Sequence, residues 1–177
     1  MDESLWERCV EFHGHACPGL ALGFRAAEGA CGILGVPFGR TGDEDLVCVS
    51  ENDACGVDCI QALLSCTVGK GNLLFRLVGK NAYTFFDRGR GRGVRVVARD
   101  LPGGMSREDS IRYVLEAPFG DLFDSMEPRF AAPEKARSFG SVACSECGER
   151  AREDLVRLDG DRKLCLDCHK GYSRSFL

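Results

Sequence analysis

The chain has 177 residues, a formal net charge of -4 at pH 7 and 11 cysteines. This length suits one ordinary domain with a small additional module. A hydrophobic share of 44% with 28% charged residues is typical of a globular protein and excludes a disordered chain. The negative net charge argues against a general nucleic-acid binder, and the odd cysteine count excludes complete intramolecular disulfide pairing.

The beginning of the chain, MDESLWERCVEF, does not resemble a signal peptide, because charged residues interrupt it and no apolar stretch follows a basic one. No apolar run reaches the roughly 18 residues that a membrane span needs. We therefore expect a cytoplasmic protein without membrane association. Thiols stay reduced in that compartment, where a cysteine excess more often binds metal or performs catalysis than forms disulfides.

The first third of the chain predicts three helices and one strand. Ser4 and Glu7 form a possible capping box for the first helix, and Pro18 suits the first position of the second, where its missing N–H costs nothing. In chain order we expect a helix ending near His13, a helix over 18–34, a strand over 46–51 and a helix starting near Gly56.

The rest of the chain predicts a sheet, further helices and a separate module. The expected elements are strands over 73–78, 82–87 and 94–100, with a hairpin turn at 79–81, a helix from Ser106 to about Glu116 and a short helix over 120–126. This order favours an α+β core, about 1–130, with helices packed on an antiparallel sheet. A linker over 131–141 and a cysteine-bounded zinc-ribbon or treble-clef module over 142–177 follow.

Four cysteines near the end of the chain have the spacing of a structural zinc site. Cys144 and Cys147 form one C-x-x-C pair, and Cys165 and Cys168 form another after 17 intervening residues. Two such pairs supply four thiolates in a closed tetrahedral shell. His169 adjoins the last cysteine and is the alternative ligand. The module carries as many basic as acidic residues, which favours protein contact or stabilisation over DNA binding.

A second cluster lies in His13-Gly14-His15-Ala16-Cys17-Pro18. Cys17 falls at the predicted start of a helix, where the helix dipole favours a thiolate. A thiolate beside an imidazole suits either a soft metal ion or a cysteine nucleophile. His13 can be a core histidine, a ligand or a group that orients one.

Cys55 occupies the equivalent position at the start of the third helix, so the two helix N-termini can converge on one ion. Cys59 lies four residues later and can share its helical face. The remaining cysteines are interpreted as small buried hydrophobic residues; they are Cys9, Cys31, Cys48 and Cys66.

Two loops have alternative interpretations. The segment SCTVGKGN contains Lys70 among glycines but fails the Walker pattern, so it is either a tight turn or an anion site. The segment RGRGRG, with Arg88, Arg90 and Arg92, is interpreted as a solvated hairpin tip, with a contact to nucleic acid or an acidic partner as the alternative.

The blocks FHGHACPGLALGFRAA, ENDACGVDCIQ and SCTVGKGNLLFRLVGKNAYTFF closely resemble the FmdE family, which takes its name from formylmethanofuran dehydrogenase, and the four-cysteine module is similar to the zinc finger of many members. The resemblance implies an α+β core, often a homodimer, with a metal at a cysteine/histidine site. The family name points to molybdenum- or tungsten-dependent oxidoreductase chemistry in methanogenesis. The matching positions are His13, His15, Cys17, Cys55, Asp58, Thr67, Lys70 and Asn72; Cys59 departs from the small residue usual there.

The sequence thus predicts a metal-binding protein with two sites. Besides the structural zinc, a second metal ion of unknown identity would bind His15, Cys17 and Cys55, with Cys17, His15 and Lys70 as candidate catalytic residues. His13 and Asp58 would lie nearby. The protein would be a subunit or accessory of a molybdenum- or tungsten-dependent oxidoreductase complex. The alternatives are a metal- or redox-responsive regulator or adaptor that binds a partner through its zinc finger and, less favoured, a nucleic-acid binder.

Overall fold

The computed structural model describes residues 2–39 and 44–171. The chain divides into two compact units, Met1–Ala136 and Arg137–Leu177. Residues 131–136 belong to the first unit although the sequence places them in a linker. Arg88 binds them there by donating to the carbonyls of Pro133 and Glu134, and Lys135 pairs with Asp45.

The first unit combines five helices and five strands among its described residues, in the α+β class that the sequence predicts. The helices are α1 (Glu3–His13), α2 (Pro18–Leu34), α3 (Gly56–Leu64), α4 (Arg107–Glu116) and α5 (Phe119–Leu122). The strands are β1 (Leu46–Ser50), β2 (Leu73–Phe75), β3 (Ala82–Asp87), β4 (Arg92–Ala98) and β5 (Phe123–Met126).

The five strands form one mixed sheet in the order β2-β1-β3-β4-β5. All neighbouring strands are antiparallel except β1 and β2, which run parallel. The hairpin predicted at 79–81 is therefore wrong, since β1 lies between the two strands it would have joined. The short helix predicted over 120–126 is replaced by α5 and β5, because Phe123–Met126 pairs with β4.

The alternation of side chains along the strands divides the apolar residues between the two faces of the sheet. Cys48, Tyr83 and Phe85 point to the face covered by the helices and join the main core. Val47, Val49 and Phe86 form a smaller cluster on the opposite face, against Leu74 and Phe130. Burial of helices on one face follows from the apolar stripes of α2 and α3, whose described residues contribute much of the core.

Arginines bind the carbonyl groups at the ends of several helices. Arg8 donates to Ala62 in α3, Arg25 to Leu115 in α4 at 2.6 Å, and Arg92 to the carbonyl of the last residue of α2. Helix C-termini leave carbonyls unpaired and favour positive charge. Arg90 donates likewise to Gly35, so these hairpin arginines brace the core and are more than a solvated tip.

A buried ion pair joins the end of β1 to β4. Arg95 Nε lies 2.5 Å from Glu51 Oε1 and its Nη2 lies 2.9 Å from Oε2, with both side chains 1% exposed. The hydrogen bonds from Arg95 lower the pKa of Glu51, and the charges of Lys80 and Arg76 contribute. A lowered folded-state pKa stabilises the fold above the unfolded pKa, and this stabilisation is lost as the pH falls through the folded pKa.

We expect Arg95→Met to lower the free energy of unfolding by about 3–5 kcal/mol, because it leaves a buried carboxylate unpaired. The double variant Glu51→Leu/Arg95→Met should recover most of this loss. Urea unfolding at neutral pH measures both. A double variant as unstable as Arg95→Met would contradict the explanation by an unpaired charge. The penalty of the single variant should also shrink below about pH 4, where a carboxyl begins to protonate.

The second unit consists of two short hairpins. They are formed by β6 (Ser141–Ala143) with β7 (Arg150–Arg152), and by β8 (Val156–Asp159) with β9 (Arg162–Cys165), separated by a 3₁₀ turn at Glu153–Leu155. The turn predicted at Asp159–Gly160 is confirmed, with Gly160 at a φ of 59°. Only Cys144 and Leu164 are buried among the described residues of this unit.

Candidate metal centres

The four cysteines of the second unit form one metal-binding group. The sulfur atoms of Cys144, Cys147, Cys165 and Cys168 lie within 4.8 Å of one another. The first pair lies in the turn between β6 and β7, and the second at the end of β9. Backbone N–H groups of Cys165, Cys147 and Glu146 lower the pKa of Cys144 to about 6, which favours the thiolate that zinc requires.

The core cluster forms where three helix ends meet. His13 is the last residue of α1, Cys17 is the N-cap of α2 and Cys55 is the N-cap of α3. Ligand atoms of these three residues lie within 4.8 Å of one another. Cys17 Sγ accepts a hydrogen bond from the N–H of Leu20 at 3.3 Å, so the predicted helix start is confirmed.

The loop between α1 and α2 is fixed at both ends. Gly14 takes the left-handed conformation that ends α1, with a φ of 89° and its N–H bonded to the carbonyl of Val10, a typical glycine C-cap. Arg107 of α4 donates to the carbonyl of Ala16 at 2.6 Å. His13 and Cys17 are therefore held by two helices and a bracing guanidinium.

Two glycines allow α2 and α3 to approach closely enough to bring the two cysteines together. A Cβ added to Gly23 would lie 2.2 Å from the carbonyl oxygen of Gly56, far inside any normal contact. A Cβ at Gly19 would lie 3.8 Å from Cys55 Sγ and 4.0 Å from Cys17 Sγ. The glycine-lined contact between the helices thus sets the spacing of the thiols.

His13 is oriented by Asp58, the residue three positions after Cys55. Its Nδ1 lies 2.7 Å from Asp58 Oδ2, and its Nε2 lies 3.9 Å from Cys17 Sγ. Gln61 donates to the other carboxylate oxygen at 3.3 Å. A carboxylate on one imidazole nitrogen fixes the tautomer that presents the other nitrogen to a metal.

The structure brings together Cys17 and Cys55 as the sequence predicts, but with His13 in the place expected for His15. His15 is exposed, and its ring centroid lies 4.6 Å from that of His13. It lies outside the group of three, and its role as a ligand or catalytic residue stays a prediction.

Lys70 is not brought to this cluster. Its Nζ donates to Ser65 Oγ at 3.0 Å, at the C-cap of α3, whereas Cys55 is at the opposite end of that helix. Its neighbour in the loop, Asn72, binds the carbonyl of Leu46 and the N–H of Thr67. The loop 65–72 is thus a compact turn entering β2, and the catalytic role of Lys70 stays a prediction.

Cys59 also lies outside the group. It is fully buried and its thiol donates to the carbonyl of Leu20 at 3.3 Å; burial raises its pKa, with a contribution from Cys9. The cysteines interpreted as small buried hydrophobic residues are all buried and free of disulfides; they are Cys9, Cys31, Cys48 and Cys66. Burial raises the pKa of Cys31 to about 12, so its thiol stays protonated.

A pocket of about 390 Å³ opens beside the core cluster. Sequence analysis did not assign three of the residues that line it, which are Asp53, Gln61 and Phe75. Asp53 stands two positions before Cys55, and that proximity was the available signal. Phe75 comes from the far end of β2, and only the parallel pairing of that strand with β1 places it here.

The donor set fits a transition metal ion. Two thiolates and one imidazole are the ligands that zinc and related ions prefer, and the carboxylate behind His13 completes the usual outer arrangement. Burial, and next the neighbouring Cys17, raise the pKa of Cys55; a bound cation reverses this and stabilises the thiolate. Three protein ligands leave one tetrahedral position open.

We expect Asp58→Asn to weaken metal binding at the core cluster by about 10- to 100-fold, since the amide no longer fixes the imidazole tautomer. Competition with a chromophoric chelator measures the affinity. Asp100→Asn, an exposed substitution, is the control and should leave it unchanged. Equal affinities of the Asp58 variant and the wild type would exclude His13 as an oriented ligand.

These features define a protein with an α+β core and two cysteine-based metal centres. The family described as "FmdE, Molybdenum formylmethanofuran dehydrogenase operon" matches residues 12–124, and the prokaryotic DksA/TraR C4-type zinc finger matches residues 137–174. The chain belongs to the FmdE family and carries this zinc finger after the family domain.

Two similar proteins extend the comparison. A crystal structure of a tungsten formylmethanofuran dehydrogenase FmdE-like protein from Syntrophus aciditrophicus matches with a TM-score of 0.65 and 26% identity, over 94% of this chain and 90% of that one. A probable S-adenosyl-L-methionine-binding protein of Archaeoglobus fulgidus is 32% identical over 199 residues, 93% of this chain and 52% of the relative. The chain spans about half the length of that relative.

The described helices include none that is both long and apolar enough to cross a bilayer. The protein is a metal-binding member of the FmdE family, and its four-cysteine group supports a structural zinc.

Proposed function

We propose that the core cluster holds a catalytic or ligand-binding metal ion on His13, Cys17 and Cys55, and that the protein works as a subunit or accessory of a molybdenum- or tungsten-dependent oxidoreductase. The observation that carries this proposal is the three-donor cluster beside an open pocket. A structural site closes its shell with four protein ligands, whereas a site with three leaves a position for water or substrate.

The residues around the ion would divide the work. His13, Cys17 and Cys55 bind it, and Asp58 keeps the imidazole of His13 in the metal-binding tautomer. The ion would act as a Lewis acid on a group coordinated at the open position. Gln61, by donating to Asp58, holds that carboxylate in place, and the pocket walls orient the coordinated group.

Cobalt substitution tests the open position. Co²⁺ in a site with two thiolates has intense charge-transfer absorption, and Cys55→Ala should abolish the part that belongs to the core. Added imidazole should shift the remaining visible bands if a position is open to exogenous ligands. Bands that do not respond to imidazole at any concentration would show a closed site and contradict the proposal.

The association with an oxidoreductase draws support from the family description, which mentions the molybdenum enzyme's operon, and from the tungsten FmdE-like structural neighbour. The full chain, tagged and purified gently from its native cells, should carry a molybdenum- or tungsten-containing partner that metal analysis detects. A chain that purifies without either element would contradict this role.

A regulator or adaptor is the second candidate, and an observation on the zinc module favours it. Leu155, Leu158 and Leu166 are exposed there, with Leu158 72% exposed. Exposed apolar side chains in a small module are typical of partner contacts. Leu158→Ser should then abolish partner binding while metal binding in the core stays normal; unchanged complexes would favour the enzyme or accessory role.

A further inference from the structure

The pocket beside the core cluster has a pronounced negative character. Its volume of about 390 Å³ lies within the range of small-molecule sites. It carries two carboxylates, Asp53 and Asp58, and no lysine or arginine is among the described residues that line it. The described lining residues are His13, Asp53, Ala54, Cys55, Val57, Asp58, Gln61 and Phe75.

The charge of the two carboxylates is not compensated when a divalent ion is bound. The charges of two thiolates cancel that of the ion, and Asp58 is engaged by His13 and Gln61. The carboxylate of Asp53 forms no ion pair or hydrogen bond with any other residue that the structure describes. A free carboxylate at a partly enclosed pocket raises the local concentration of cations.

An aromatic wall stands in the same pocket. Phe75 lies at the end of β2 and is 43% exposed, and Leu77 and Val78 continue the exposed apolar surface beyond it. An aromatic face attracts organic cations and also packs against aliphatic carbon. A metal-binding position, a free carboxylate and an exposed ring thus surround one small volume.

We propose that the ligand of the open metal position is a small organic cation. It would coordinate the ion through one donor atom and carry a protonated amine or another cationic group within a few bonds, held by Asp53, with its carbon skeleton against Phe75. This inference rests on the proposed open site and adds the ligand class and the residues that select it.

Three small thiols that differ in charge at one end test the ligand class. Cysteamine is cationic, 2-mercaptoethanol is neutral and mercaptoacetate is anionic, and each offers a sulfur donor to the ion. Their dissociation constants are measured from the visible spectrum of the Co²⁺-loaded full chain, for the wild type and for Asp53→Asn. The ratio between the two proteins cancels the different acidities of the thiols.

Asp53→Asn should weaken cysteamine binding about fivefold, the effect of one partly exposed ion pair. It should leave 2-mercaptoethanol unchanged and strengthen mercaptoacetate binding. Phe75→Leu, which keeps an apolar side chain but removes the ring, should weaken cysteamine about twofold. The control Asp100→Asn lies outside the pocket lining and should change none of the three constants.

Equal effects of Asp53→Asn on all three thiols, or no effect, would overturn the cation assignment while the open position stands. Spectra that respond to no thiol and no imidazole would instead contradict the open site, and the cation assignment would fall with it.

Discussion

Cys165→Ser should unfold the C-terminal module while leaving the core folded. The described part of this unit buries only Cys144 and Leu164, and so small a core cannot maintain two hairpins alone. Zinc binding in small modules supplies about 10–16 kcal/mol at neutral pH, and this is the free energy of folding itself.

Hydrogen exchange of the full chain measures this outcome. Amides of the pairs β6–β7 and β8–β9 should exchange at rates close to those of an unfolded chain in Cys165→Ser, and in the wild type after treatment with a strong chelator. His169→Gln is the matched control, because His169 adjoins Cys168 but lies outside the group of four sulfurs. Full protection of the hairpins in Cys165→Ser would contradict a structural zinc.

Gly23→Ala should damage both the stability of the core and its metal site. The added methyl group meets the backbone of Gly56 at 2.2–2.6 Å, which cannot move without displacing α3. Overpacking of this kind costs about 1–3 kcal/mol, occasionally more. Because Cys17 and Cys55 stand on the two displaced helices, the affinity for metal should fall as well.

Gly32→Ala provides the control on the same helix. A Cβ at Gly32 meets no atom within 4 Å, and alanine is favoured over glycine in helices by roughly 0.5–1 kcal/mol. This variant should be slightly more stable than the wild type and should bind metal normally. Chemical unfolding and chelator competition on both variants make the comparison; normal metal binding by Gly23→Ala would show that the helix contact does not set the thiol spacing.

The parts of the fold that depend on neighbouring residues could be predicted from the sequence. The four-cysteine spacing, the capping role of Ser106, which accepts from the N–H of Asp109, and the start of α2 at Pro18 each depend on a few adjacent positions. The pairing of β2 could not be predicted, because the glycine turn before β3 is equally compatible with a hairpin and with a crossover beside β1.

The core site shows the same division. Cys17 and Cys55 could be predicted because helix starts can be recognised locally. The sequence could not choose between His13 and His15, since the choice depends on the left-handed turn at Gly14 and on Asp58, which is 45 positions from His13. Lys70 follows α3 closely in sequence, yet the length of that helix separates it from Cys55.

The central claim is that one chain contains two independent metal centres. The most direct measurement is the metal content per chain of the protein purified without added metal, compared between the wild type, Cys17→Ala and Cys165→Ser. We predict two ions in the wild type and one in each variant, with chelator-sensitive hairpin protection retained only in Cys17→Ala among the variants. One ion in both the wild type and Cys17→Ala, lost on substitution of Cys165, would contradict the core centre.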